Sequence, residues 1–172
     1  SAPEIVKACV ESVRRNAGGR EVIIITDKNV SNYVKFPSWI IKKIDAGIIT
    51  RTNLSDLLRL SLLASYGGMW LDSTFYCVGS LDKSLYNGPI FSIKRPDYLH
   101  ASVAGGMFAG YSLGCDDDHR RAFATIRDFF LEYWRRNDFM GDYLLVDYLT
   151  VLAQRHDPWI AEAFNEIQPN NP

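Results

Sequence analysis

Cysteine is scarce in this chain: Cys9, Cys77 and Cys115 are the only three in 172 residues, and none forms a CxxC pair. An odd number at wide spacing excludes a disulfide framework and points to reduced, mostly buried thiols of a cytosolic protein. Histidine is equally sparse, and His100, His119 and His156 are too scattered to make a zinc set. Neither charge sign is in excess, with 19 basic against 20 acidic residues. That balance leaves no electrostatic footprint for nucleic acid, and no basic amphipathic segment suits a membrane surface. No apolar run approaches the ~20 residues that span a bilayer, and no signal peptide opens the sequence. Repeats, low-complexity tracts and linkers are missing too, so a single domain over residues 1–172 is expected.

What is present is an ordinary globular balance, 47% hydrophobic and 23% charged, which is enough apolar material for a core and excludes a disordered chain. Apolar residues at helical spacing predict helices over 3–16, 37–48, 52–66, 119–136, 141–155 and 158–165. The β-branched run Val22-Ile23-Ile24-Ile25 predicts a buried parallel strand over 21–26, and further strands are expected at 69–71, 89–93 and 103–109. Residues 75–78 are expected to continue extended. Strands alternating with helices in the first half predict an α/β layer fold with a mostly parallel sheet, its helical second half packed beside the sheet.

One segment carries chemistry: Ser55-Asp56-Leu57-Leu58-Arg59, followed by Tyr66-Gly67-Gly68-Met69-Trp70-Leu71-Asp72-Ser73-Thr74. Its helix is apolar around too much of its circumference for a surface helix, so burial on several sides is expected. Asp56 and Arg59 lie one turn apart and project from neighbouring positions. A charged pair on a buried helix is expensive unless something polar meets it. The structural alternative makes Asn53 the N-cap, Asp56 a capping-box acid and Arg59 its salt-bridge partner. Gly67-Gly68 closes the helix, and Met69-Trp70-Leu71 then delivers Asp72 to the C-terminal end of a strand. An acid followed by two hydroxyl residues there offers hard oxygen ligands for Mg²⁺ or Mn²⁺ and for ribose hydroxyls.

The combination of Ser55-Asp56-Leu-Leu-Arg59 with Gly67-Gly68-Met-Trp-Leu-Asp72 resembles the signature of the DXD sugar-transferase family, which includes yeast mannosyltransferases and bacterial glucosylating toxins. The Trp70-Leu71-Asp72-Ser73-Thr74 variant is most similar to that family's capsular polysaccharide synthesis branch. A weaker likeness runs from residue 2 to the Asp142-Tyr143 segment and the final Asn170-Asn171-Pro172. The resemblance implies a GT-A-like, Rossmann-like nucleotide-sugar-binding fold. The implied activity is retaining transfer of a hexose from a donor such as UDP-galactose or UDP-glucose to a surface-polysaccharide precursor. It implies that Asp56 and Arg59 hold the donor sugar and its phosphates, with Ser55 beside them. Asp72 would meet the ribose and the metal, Mn²⁺ or Mg²⁺. Thr74 stands where typical members carry the second acid, so metal binding is expected to be weak or to use another residue. Asp142, Tyr143 and Asp147 fall where relatives place the acceptor. The resemblance further implies that the family's first strand precedes this chain and a C-terminal portion follows it. A cytoplasmic placement is expected, with the inner face of the membrane as the alternative.

Two other readings stay open on the residues alone: an inactive nucleotide- or glycan-binding domain, and a hydrolase using Asp72 and a second carboxylate. Asp116-Asp117-Asp118-His119 looks like a metal cluster, but an acid-rich helix start is expected from capping and the helix dipole. The segment from Gly105 to Gly110 is small enough for backbone to approach a ligand, yet lacks the GxGxxG spacing of a phosphate loop. The four tryptophans are expected in the core, with Trp134 or Trp159 as candidates to line an acceptor groove.

Overall fold

The computed structural model describes residues 2–81, 88–95 and 102–170. His100, Asn171 and Pro172 lie outside the described residues. Among the described residues, six α-helices and three strands occur in the order α1 (Glu4–Asn16), α2 (Ser38–Asp45), α3 (Arg51–Tyr66), β1 (Gly68–Leu71), β2 (Ile90–Ser92), β3 (Ser112–Cys115), α4 (Arg120–Arg136), α5 (Leu145–His156) and α6 (Pro158–Asn165). A single 3-10 turn at Val30–Asn32 separates α1 from α2.

The core forms where α3 lies against α4. From α3 come Leu57, Leu60 and Leu63; from α4 come Ala122, Phe123, Ile126, Phe130 and Trp134, spaced to share one face, and all are essentially inaccessible to water. Truncating one of these large side chains costs about 3–5 kcal/mol. Trp134 is therefore a core residue, which removes it as an acceptor platform. Lys43 at the end of α2 reaches the far end of α4, donating to the carbonyls of Trp134 and of Asn137, the latter at 2.7 Å. It thereby satisfies carbonyls that the helix leaves open.

Helix α3 begins one turn earlier than the capping-box alternative requires. Thr50 is the N-cap, its hydroxyl accepting from the Asn53 backbone N–H, and it pairs with the Asn53 side chain at 2.8 Å. Asn53 is fully buried inside the helix. Asp56 thus sits in the second turn, where every backbone N–H already has a helical acceptor, and a capping role is excluded.

Gly67 ends α3 with φ 64°, and a Cβ there would stand 3.3 Å from the Cys115 carbonyl oxygen. Only glycine takes this conformation at low cost beside another strand. It lets β1 start at once and pair with β3 from Gly68 opposite Cys115 to Leu71 opposite Ser112. The sheet order is β1-β3-β2, both pairings antiparallel. No parallel ladder occurs among the described residues.

Two expected strands are corrected. Residues 21–26 take no ladder partner, and Ile23 and Ile24 are 46% and 38% exposed. β-branched residues favour an extended chain, but a strand needs neighbours to bond, and none of the described residues supplies one. Residues 103–106 form turns, and Ala109 makes only an isolated bridge to Ser112. The strand of this region is β3 instead, whose Ser-Leu-Gly-Cys sequence has little intrinsic β preference. Residues 75–78 take no ladder partner among the described residues. Helix α5 starts at Leu145 rather than 141, because the Asp142 carboxylate accepts from the Leu144 N–H at 2.7 Å and folds those residues into a turn.

The segment after α6 ties back to this frame. Asn170 donates from its amide to the Ser92 carbonyl at 2.8 Å and accepts from the Lys94 N–H at 3.1 Å, latching onto the end of β2. All three cysteines are free and buried. Among the described residues, no helix is long and apolar enough to cross a membrane.

Candidate functional site

Asp56, Arg59 and Asp72 converge. Helix α3 carries Asp56 and Arg59 at 4% and 6% exposure, on a segment whose neighbouring leucines hold it against α4. Strand β1 then returns beside the helix it follows, so Asp72 emerges next to Arg59. The Arg59 Nη2 atom lies 3.2 Å from Asp56 Oδ1 and 3.4 Å from Asp72 Oδ1. Its Nη1 donates to the Gly110 carbonyl in the turn before β3. The guanidinium also sits 5.7 Å from the centre of the Trp70 ring, and that indole N–H donates to Asp72 Oδ1 at 2.6 Å.

A fourth group completes the arrangement. Asp147 on α5 is 9% exposed. Gly110 shows why it can approach: a Cβ there would lie 2.9 Å from Arg59 Nη1 and 3.5 Å from Asp147 Oδ1. Arg59 and Asp147 therefore press on a space that any side chain at position 110 would fill. The sequence places Asp147 only in a region of interest, together with Asp142 and Tyr143. What singles it out is its position within α5, among Leu145, Val146, Leu149 and Thr150, all buried. An acid on the apolar face of a helix is the signal that finds it.

Burial dominates the electrostatics. It lifts the Asp56 carboxyl from 3.8 to about 6, against the pull of Arg59 and with further upward pushes from Asp147 and Asp72. Asp147 is raised to about 6 by the same cause, again opposed by Arg59, with Asp142 adding a smaller upward push. Asp56 and Asp72 pair with Arg59 and Asp147 lies within reach of its charge, so the group is net negative when all three acids are ionised. Arg59 Nε is buried without an acceptor among the described residues.

The other expected residues lie further out. Ser55 is half-buried on α3, one residue before Asp56, and Thr74 lies exposed in the turn after β1. Asp142 is exposed and structurally employed in its turn, and Tyr143 is 67% exposed. The Gly105-to-Gly110 segment enters the site through a carbonyl, not through the N–H cradle of a phosphate loop.

The fit to a divalent cation is partial. Asp72 Oδ1 already accepts from Trp70 and faces Arg59, leaving Oδ2 as the available oxygen. Among the described residues no group of three or more His, Cys, Asp or Glu could hold a metal ion. A cation here would draw most of its ligands from a bound diphosphate, as Mg²⁺ commonly does. The Asp116 cluster is not a metal site: Asp116 Oδ1 accepts from the His119 N–H at 2.8 Å and meets its ring at 2.6 Å. His119 in turn stacks on Trp159, whose ring also lies under Arg121 at 4.3 Å. That occupies Trp159 in packing the start of α4 against α6.

A buried acid–arginine group behind a GG-Met-Trp-Leu-Asp strand is the setting in which the family comparison becomes informative. The chain matches the family model described as capsular polysaccharide synthesis protein over residues 1–172. It belongs to that family. The role of this capsular polysaccharide synthesis protein accordingly lies in capsule biosynthesis. No curated protein and no solved structure matches it.

Proposed function

We propose that this protein is a nucleotide-sugar-dependent hexosyltransferase acting on a capsular polysaccharide precursor, with its donor held at Asp56, Arg59 and Asp72. The observation that carries this reading is the convergence of the three side chains, two from a buried helix and one from the strand after it, at 3.2 and 3.4 Å. A structural ion pair needs one acid; here a second, partly exposed acid shares the same guanidinium. The scaffold on this reading is GT-A-like, with α3, β1 and the flanking helices as its donor-binding part.

The geometry suggests how the groups divide the work. Asp72, with its side chain 35% exposed, is the member a ligand meets first. Its contact with Arg59 is long for an ion pair, so a donor diphosphate can take that place on the guanidinium and leave Asp72 to the ribose. Asp56, behind them, orients the guanidinium and grips hydroxyls of the donor hexose, holding C1 in line for transfer. Arg59 stabilises charge that grows on the diphosphate as the glycosidic bond breaks. Because the group is net negative, a dianionic ligand is favoured only with a compensating cation. Mn²⁺ or Mg²⁺, held by Asp72 and the donor's own phosphates, would supply that charge. UDP-glucose and UDP-galactose are the first donors to test.

A second reading, a donor- or glycan-binding domain without transfer, is favoured by Thr74, a neutral ligand where the motif otherwise carries an acid. One experiment addresses both. Thermal unfolding is followed with UDP, GDP and CMP sugars, with and without Mn²⁺, on the wild type and on Asp72→Ala. A ligand at 100 times its Kd adds about 2.7 kcal/mol, or roughly 5–10 °C at this chain length. A Mn²⁺-dependent shift with one nucleotide class, lost in Asp72→Ala, supports the donor site; product analysis of the same mixtures then separates transfer from binding. No shift with any donor refutes the site.

A further inference from the structure

Strand β2 ends on a buried hydroxyl that lies outside the acid–arginine group. Ser92 is fully buried opposite Leu113 of β3, in a place where an apolar side chain is the default. A hydroxyl taken out of water needs partners, and this one spends its donor and acceptor capacity on one residue outside its strand. Its Oγ accepts from the Ala109 N–H at 2.8 Å and donates to the Ala109 carbonyl at 3.3 Å. That carbonyl also accepts from the Ser112 N–H at 3.1 Å, which closes residues 109–112 into a turn. The far end of the turn is tied to the same chain segment, because the Ile93 N–H donates to the buried Ser112 Oγ at 3.2 Å.

The two residues in the middle of this turn both serve the site through their carbonyls. Gly110 accepts from Arg59 Nη1, and Tyr111 accepts from the backbone N–H of Asp72 at 3.0 Å. One turn therefore carries the reference point for the guanidinium and for the acid that shares it. The contacts of Arg59 with Asp56 and Asp72 are long, at 3.2 and 3.4 Å, so the Gly110 carbonyl is the most directional restraint on the guanidinium plane.

We propose that Ser92 is a positioning residue of the site: through Ala109 it fixes the turn whose two carbonyls aim Arg59 and set where the chain delivers Asp72. Ser92 touches no ligand and acts only through the backbone. A guanidinium already held in one plane gives up little freedom when it meets an anion, which favours capture of a diphosphate. The inference rests on the transferase reading for the ligand that senses the alignment, a nucleoside diphosphate, and not for the alignment itself.

The test compares the wild type, Ser92→Ala, Ser92→Cys and Asn170→Ala, with thermal unfolding as the check on folding. Asn170→Ala loosens the same end of β2 by removing the bond to the Ser92 carbonyl, and it leaves both Ala109 bonds in place. Nitrogen NMR follows the Arg59 guanidinium, its signals identified by their loss in Arg59→Lys. Hindered rotation should keep the two Nη groups distinct in the wild type and Asn170→Ala, and Ser92→Ala should average them. Calorimetry with UDP and Mn²⁺ should show affinity falling about tenfold or more in Ser92→Ala and staying within about twofold in Asn170→Ala. Ser92→Cys, whose thiol bonds only weakly, should fall between them and decides the matter if Ser92→Ala does not fold. If the serine variants average the guanidinium signals and the wild type binds no UDP, the positioning role stands and the donor reading alone falls. Unchanged guanidinium signals in the serine variants overturn the proposal, as does a wild type whose signals already average. An equal loss of UDP affinity in Asn170→Ala, or serine variants that keep a measurable wild-type affinity in full, overturns it as well.

Discussion

Two groups of three acids behave in opposite ways in this molecule. Asp116, Asp117 and Asp118 are consecutive in sequence, exposed, and satisfied locally, with Asp116 serving the N–H and ring of His119. Asp56, Asp72 and Asp147 come from a helix, a strand end and a distant helix, and meet around Arg59. The first group is the more conspicuous in the sequence and does ordinary work at a helix start. The second is inconspicuous, and there burial lifts two carboxyls to about 6. Proximity in sequence thus says little about a site; a buried acid that the fold does not need says much.

The sharpest way to break this contrast is Arg59→Ala. Removing the guanidinium leaves buried carboxylates facing one another, and the expected loss is about 3–5 kcal/mol, with donor affinity abolished. Thermal unfolding should fall by roughly 10 °C or more, whereas a small change would mean that the carboxylates are already protonated in the folded state. Gly110→Ala comes next. Its new methyl group would sit 2.9 Å from Arg59 Nη1 and push the guanidinium off the turn. The expected cost is about 1–3 kcal/mol, together with weakened donor binding in calorimetry.

Asp147→Asn has the opposite sign in stability. A carboxyl whose native pKa is raised from 3.8 to about 6 holds its proton more tightly when folded. Its contribution is favourable below about pH 4 and is lost as pH rises through 6. The asparagine variant should therefore match the wild type at pH 4 and melt a few degrees higher at pH 7–8, a gain on the order of 1–3 kcal/mol. Equal melting temperatures at both pH values would show that Asp147 is not strained by burial. The smallest effect is expected from Asp116→Ala, about 1 kcal/mol from the lost helix-start bonds, with nucleotide-sugar affinity unchanged. A fall in that affinity would erase the distinction between the two acid groups.

Most helices were legible because their apolar residues repeat at helical spacing and their ends carry recognisable stops, as at Gly67. The sheet was not. The run Val22-Ile23-Ile24-Ile25 has every local preference for a strand, yet Ile23 and Ile24 are partly exposed and the run takes no partner among the described residues. Ser112-Leu113-Gly114-Cys115 has almost none and lies at the centre of the sheet, bonded on both sides. Strand formation is decided by a neighbour's N–H and C=O groups, which local composition does not encode. The same limit applies to the tryptophans. Trp134 fills the core and Trp159 is engaged by His119 and Arg121, although both were readable as groove aromatics.

By itself, the sequence determined the buried helix that carries Asp56 and Arg59, the glycine turn that follows it, and the strand that presents Asp72. These depend on spacing within about twenty residues and on glycine's freedom at positive φ. Only the tertiary structure decided that the Gly110 carbonyl and Asp147 join them, because those contacts span long stretches of chain and are set by how α5 and the turn before β3 pack against α3. The tertiary structure also decided which acids would be strained, since a carboxyl's pKa answers to the water and charge around it rather than to its neighbours in sequence.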